Sequence, residues 1–341
     1  MSKTGSMMRF SAAAGALAVI VALLSPLVRA DESAIDIRSR LIETFKVGSD
    51  QTRFGDFEFV GGLELSSSNS ALGAMSAIRL SADRQRFLGV MDTGFWYAGR
   101  LDRDEQNRMV GVRDFKVSPI LGLDGQPSRE KWRFDAEGMV LRGDEVLVSF
   151  ERLHRVDIYP ANAPGNAKPT GSLPLQIPLS EFRGNRGLEA VMVAPDSSSL
   201  AGAVVAVSEM SLDTNGNIFA AILTGPSKGV FHVKRDPPYN VTDGDFLPNG
   251  DLLLLERRFS IAEGVGMRIR RIDGSRIGVG NLVDGEVVLE TDYGYQIDNM
   301  EGLDVTTDDQ GQVFVTLVSD DNHSILQRNL LLEFRYLGDE K

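Results

Sequence analysis

The chain has 341 residues, with 36 basic and 48 acidic side chains, a net charge of −12, three histidines and no cysteine. Disulfide staples, thiolate metal sites and cysteine nucleophiles are therefore excluded, and a histidine-rich metal centre is disfavoured. So acidic a surface repels nucleic acid and anionic lipid, which leaves small molecules as the expected partners.

The first 30 residues read as a cleaved export signal. Lys3 and Arg9 form a positive start, residues 12–24 are apolar, and Val28-Arg29-Ala30 places small residues at −3 and −1 before Asp31. The apolar stretch is shorter than the roughly 20 residues a span needs, and no second long run follows, so stable membrane insertion is not expected. The signal takes away three basic residues and no acid. Thirty-three basic side chains then remain against 48 acidic ones, a net of −15. The expected location is periplasmic or secreted, with residues 31–341 as one domain.

Residues 35–45 read as a short helix. Beyond them the pattern is almost entirely β. Phe87-Leu88-Gly89-Val90-Met91, Val146-Leu147-Val148, Ala203-Val204-Val205-Ala206-Val207, Leu252-Leu253-Leu254-Leu255, Val313-Phe314-Val315-Thr316-Leu317 and Leu330-Leu331-Leu332-Glu333-Phe334 are strand-sized apolar runs, most of them bounded by Gly, Asp or Asn turns. Pro248-Asn249-Gly250-Asp251 and Leu141-Arg142-Gly143-Asp144 read as turns between antiparallel strands. The proline-rich stretch 161–174 reads as a loop within the domain, and residues 61–135 as a unit with extra length.

An acidic motif recurs along this series. Asp135-Ala136-Glu137-Gly138, Gly187-Leu188-Glu189, Thr242-Asp243-Gly244-Asp245 and Asn299-Met300-Glu301-Gly302 are its clearest forms, and Met91-Asp92-Thr93-Gly94 a looser one. Glu137 to Glu189 is 52 residues; Glu189 to Asp245 and Asp245 to Glu301 are 56 each. A period of this size marks a repeat architecture with one supersecondary unit per repeat. Each unit also carries a second acid after its next strand: Glu151, Glu209, Glu256 and Asp320. Dividing the mature length by about 50 residues predicts an all-β propeller, six-bladed. Acids at matched strand ends would then converge on the central channel.

A charge entering an apolar strand, as in Glu189-Ala190-Val191-Met192, is partly buried and needs a cation or hydrogen-bond donors. Oxygen ligands without His or Cys suit a hard divalent ion, Ca²⁺ first. Glu137, Glu189, Asp245, Glu301 and Asp320 are the expected ligands, and Glu151, Glu209 and Asp92 the expected general bases or further ligands. Arg152, Arg186 and Arg257 are expected to grip a substrate anion. The competing expectation is that these arginines neutralise the acids as structural ion pairs, with no ion at all. His154, His232 and His323 read as structural or surface residues. No phosphate loop, nucleophile elbow or EF-hand spacing is present.

On these motifs the chain resembles the phytase-like family, over residues 57–336. The family's D-x-E-G segment matches Asp135 to Gly138, its Glu-Arg matches Glu151-Arg152, and its N-[KR]-G-x-E matches Asn185-Arg186-Gly187-Leu188-Glu189. Its L-L-x-L-E-R matches Leu252 to Arg257, its N-x-E-G-L matches Asn299 to Leu303, and its S-D-N-N resembles Ser319-Asp320-Asp321-Asn322. Two positions depart: Met91 stands where a serine precedes the first acid, and Asp321 stands where asparagine is common. The resemblance implies a propeller-like fold and an exported hydrolase, with a small ester or phosphoester as substrate. A non-catalytic binding propeller is one alternative. A calcium-dependent lactonase or arylesterase is another, and would need an apolar pocket beside the ion, for which Trp96, Phe150 and Tyr295 are the candidate walls.

Overall fold

The computed structural model describes residues 32–338 except 129, 185 and 261–263. The export-signal reading of residues 1–30 and the motif residue Asn185 therefore lie outside the described residues.

Five antiparallel blades surround a channel. Their innermost strands are Met75–Leu80, Ala136–Arg142, Leu188–Val193, Asn240–Phe246 and Asn299–Thr307, each packed on the next, with the last returning to the first. The propeller expectation is met, but among the described residues the blade number is five rather than six. Two physical reasons account for the difference. Two blades are longer than a divisor of 50 allows: inner strands start 61 residues apart at Met75 and Ala136 and 59 apart at Asn240 and Asn299, where Leu282–Val283 pairs in parallel with Gly229–Val233 before Glu286–Thr291 closes the fourth. The N-terminal segment also builds no blade of its own. Arg38–Ile42 and Phe57–Ser66 complete the last blade beside Asn329–Tyr336, so the chain's two ends close one sheet. Residues 38–42, expected as part of a helix, form that sheet's outer strand.

The apolar runs are explained by burial on both faces of each blade. In Leu252–Ser260, Leu252 and Leu254 face the third blade, whereas Leu253 and Leu255 face the fifth, as the two-residue strand period requires. A hydrophobic cluster fills each of the five gaps between neighbouring blades. Trp96 and Phe150, candidate pocket walls from sequence, are 2% and 0% exposed and belong to the cluster between blades one and two.

The closing seam also carries a buried ion-pair triad. Glu333 of the last blade accepts two hydrogen bonds from Arg103, both 2.9 Å, and an ion pair from Arg84 at 2.6 Å. Removing the carboxylate would leave two guanidinium groups facing each other without an anion. We expect Glu333→Ala to cost about 3 kcal/mol of unfolding free energy, measured by denaturant titration.

Candidate functional site: the acidic channel mouth

The site begins with a backbone irregularity. Each inner strand carries a register shift near its start, where one extra residue sits opposite its partner strand. Ser76, Glu189, Thr242 and Glu301 are the inserted residues, and Glu137 lies in the corresponding stretch of its strand. All five line one cavity of about 220 Å³ at the channel mouth. The glycine after the acid has a role here. A Cβ on Gly138 would lie 2.2 Å from the Glu189 carbonyl oxygen, and one on Gly302 would lie 3.1 Å from Ala77 Cα. The acid-Gly pair is thus a bulge that aims a carboxylate inward, followed by a residue small enough for the next inner strand to approach.

A second ring comes from the following strands: Asp92, Glu151, Glu209, Arg257 and Asp320. Asp135, Lys131, Arg152 and Asn322 complete the lining. Among the lining residues eight carboxylates face three cations, and each cation is already committed. Lys131 holds Asp92 at 2.6 Å, Arg152 holds Asp135 at 2.6 Å, and Arg257 holds Glu301 at 3.1 Å. Among the described residues no ion pair within 4 Å reaches Glu137, Glu151, Glu189, Glu209 or Asp320. The arginine-neutralised ring therefore covers only part of the acid.

Desolvation dominates the electrostatics. Burial pushes Glu137 and Glu189 well above the usual carboxylate range, and the neighbouring carboxylates add to it: Glu151 first for Glu137, and Glu137 first for Glu189. Burial lifts Glu151 to about 7, against a hydrogen bond shared with Glu189 and another from the Gly187 amide. It lifts Glu301 to about 7 despite Arg257, and Asp320 to about 6 despite the Asn322 amide at 2.7 Å. Glu209 and Asp135 are raised by burial too.

Two overlapping oxygen sets have the spacing of cation ligands. One atom each from Asp135, Glu137 and Glu151 lie within 4.8 Å of one another, as do atoms from Glu151, Glu189 and Glu209. Glu151 belongs to both. Hard oxygen donors, largely withdrawn from water and short of positive charge, fit a divalent ion such as Ca²⁺.

Three expected site residues lie elsewhere. Asp245 is three residues beyond Thr242, about 10 Å along the strand, and lines the opposite end of the channel with Arg79 and Asp304. There it accepts a 3.0 Å bond from the Val305 amide. Arg186 is exposed and points at the Met210 sulfur, 3.1 Å away, outside the cavity lining. Glu256 turns into its blade between Arg268 and Arg270, and its neighbour Arg257 takes the mouth position. Lys131, Asp135, Thr242, Ser76 and Asn322 were not picked out as site residues from sequence. Asp135 lies just before the strand Ala136–Arg142 and reaches the mouth beside Glu137 of its irregular start. His154 stacks on Phe182 at 4.6 Å and His323 lies in the loop after Asp321, outside the mouth lining.

A search of the curated proteins finds no match. Among solved structures the chain is similar to Kuenenia stuttgartiensis hydrazine synthase, at 12% identity and a TM-score of 0.36, over 82% of this chain and 60% of that one. The family model described as phytase-like, esterase-like activity of phytase, matches residues 70–323, which hold both rings of the mouth. The chain belongs to the phytase-like family.

Proposed function

We propose that this propeller is an exported, divalent-cation-dependent hydrolase of small phosphoesters, with its chemistry at the channel mouth. The observation that carries the reading is the unbalanced charge there: eight carboxylates, three cations, and two ligand-spaced triplets joined through Glu151. Glu137, Glu151 and Glu189, with Asp135 and Glu209 beside them, would hold the ion, Ca²⁺ by the hardness of the donors. When bound, the ion supplies Lewis acidity toward the ester oxygens.

The chain's own groups do the rest. Arg152 and Arg257 flank the mouth and offer planar guanidinium donors to a phosphoryl group, exchanging part of their contact with Asp135 and Glu301 for it. Asp320 is 5% exposed, lies across from the triplets in the second ring, and is raised to about 6. It suits proton transfer near neutral pH. Water adds to phosphorus, the ester P–O bond breaks, and the proton that water loses passes through Asp320 to the departing alcohol. Export rests on the pattern of residues 1–30, and no helix of the described residues is long and apolar enough to cross a membrane.

The test is a substrate scan across phytate, aryl phosphates, aryl carboxylates and lactones, with Ca²⁺ and with chelator. The reading expects phosphoester turnover that chelator abolishes and Ca²⁺ restores. Turnover of carboxylic esters alone would contradict the phosphoester assignment. A flat scan would favour a binding propeller.

A further inference from the structure

A second, larger cavity of about 660 Å³ opens beside the mouth and shares two residues with it, Arg257 and Asn322. Its lining differs from the mouth's: Asp298 is its one carboxylate, and aromatic and aliphatic side chains stand among Arg257, Arg258 and Arg328. Phe259, Tyr293 and Leu326 line it and are 70%, 78% and 87% exposed. One exposed apolar side chain is ordinary; three around a single concavity next to a charged site mark a surface that is covered in use. The inner wall is preformed. The Tyr295 ring is fixed against Phe45 at 5.2 Å and Phe54 at 5.8 Å. Arg328 is held by the Gln296 side chain at 2.9 Å and the Ile297 carbonyl at 2.8 Å.

From this juxtaposition we propose that the side cavity is a subsite for an apolar, ring-bearing alcohol portion of the substrate, so that the natural substrate is an aryl or similarly bulky apolar phosphomonoester rather than a polyol phosphate. The inference rests on the phosphoester reading above. Arg257 stands at the boundary, where it can hold phosphoryl oxygens on one side while its guanidinium plane borders the ring on the other. A polyol phosphate would gain nothing by covering Phe259, Tyr293 and Leu326, since its hydroxyls are as well solvated in water. A flat ring would cover those side chains, in a cavity of the size that takes small organic ligands.

The test uses two non-hydrolysable probes, 2-naphthylphosphonate and methylphosphonate, titrated calorimetrically into the mature protein with Ca²⁺ and again with chelator. Wild type should bind the naphthyl probe at least about tenfold more tightly. The combined variant Phe259→Ser, Tyr293→Ser, Leu326→Ser should bring that ratio close to one, and Tyr293→Ser alone should lower it part of the way. All three side chains are exposed, so the folded state is expected to persist, as a thermal melt will check. A wild-type ratio near one overturns the subsite, and so does a high ratio that survives the combined variant. Tight naphthylphosphonate binding without turnover of 2-naphthyl phosphate would overturn the hydrolase reading while the subsite stands.

Discussion

Replacing Arg79 with alanine is expected to cost about 5 kcal/mol at pH 8, the largest loss of stability from any single change in the channel. Arg79 rises from the first inner strand into the channel centre and is buried. It bonds Asp243 at 3.1 Å, the Leu303 carbonyl at 2.8 Å and its own Ile78 carbonyl at 2.6 Å, and it lies 3.9 Å from Asp304. Those aspartates also accept amide bonds from neighbouring blades, Asp243 from Leu303 at 2.9 Å and Asp304 from Leu80 at 3.0 Å. One guanidinium therefore ties three blades together where backbone pairing between blades is absent. Without it, Asp243 and Asp304 would be buried acids with no cation, and the half-buried Asp245 would lose the charge that opposes its desolvation.

The loss should depend on pH. Burial, opposed by Arg79, holds Asp243 at about 6 and Asp304 at about 7, above an unfolded value near 4. A carboxyl whose folded pKa exceeds its unfolded one adds stability that is fully present below pH ~4 and is lost as pH rises through ~6–7. Removing Arg79 moves both folded values further up and deepens that loss. Arg79→Ala should therefore be tolerated better at pH 5, where both acids are largely protonated, than at pH 8. Urea titrations at the two pH values, with the slope unchanged, measure this. Equal losses at both would show that the guanidinium acts by packing alone.

At the mouth the second large effect is on activity, with stability moving the other way. Glu151→Gln is expected to lower kcat/KM for an aryl phosphate by about a thousandfold. Glu151 is the one residue in both oxygen triplets, and its side chain takes the Gly187 amide, so it is fixed in place. Glutamine keeps the shape and that bond but removes a charge from a cluster with too many. Because burial holds Glu151 at about 7, its ionised form at pH 8 works against folding in the ion-free protein. The chelated variant should therefore be more stable than chelated wild type by about 1–3 kcal/mol. A variant both inactive and less stable would mean that Glu151 is a structural group.

Much of this arrangement was legible before the structure. The recurring acid located Glu137, Glu189 and Glu301, because each marks the irregular start of an inner strand. The second acid located Glu151, Glu209 and Asp320 at the next strand's end. The fourth unit misled because its bulge residue is Thr242, which carries no charge, while an acid three residues on drew the eye. Asn299-Met300-Glu301-Gly302-Leu303-Asp304 holds the corrective: Asp304 follows Glu301 by three, as Asp245 follows Thr242, and both end at the channel's far side. The blade count was not legible from spacing, since a sheet closed by both chain ends leaves no local periodic signal. Nor was the side cavity, because Phe259 stands near the end of a strand and Tyr293 and Leu326 in two separate loops, which only the ring of blades brings together.

The central claim is that the mouth's excess of carboxylates exists to hold a divalent cation. The most direct measurement is an anomalous difference map from crystals of the mature protein grown with Ca²⁺. The account predicts a peak in the mouth, touching Glu137, Glu151 and Glu189 and lost in Glu189→Gln crystals. Well-ordered crystals with the mouth open to solvent and no peak there would contradict it.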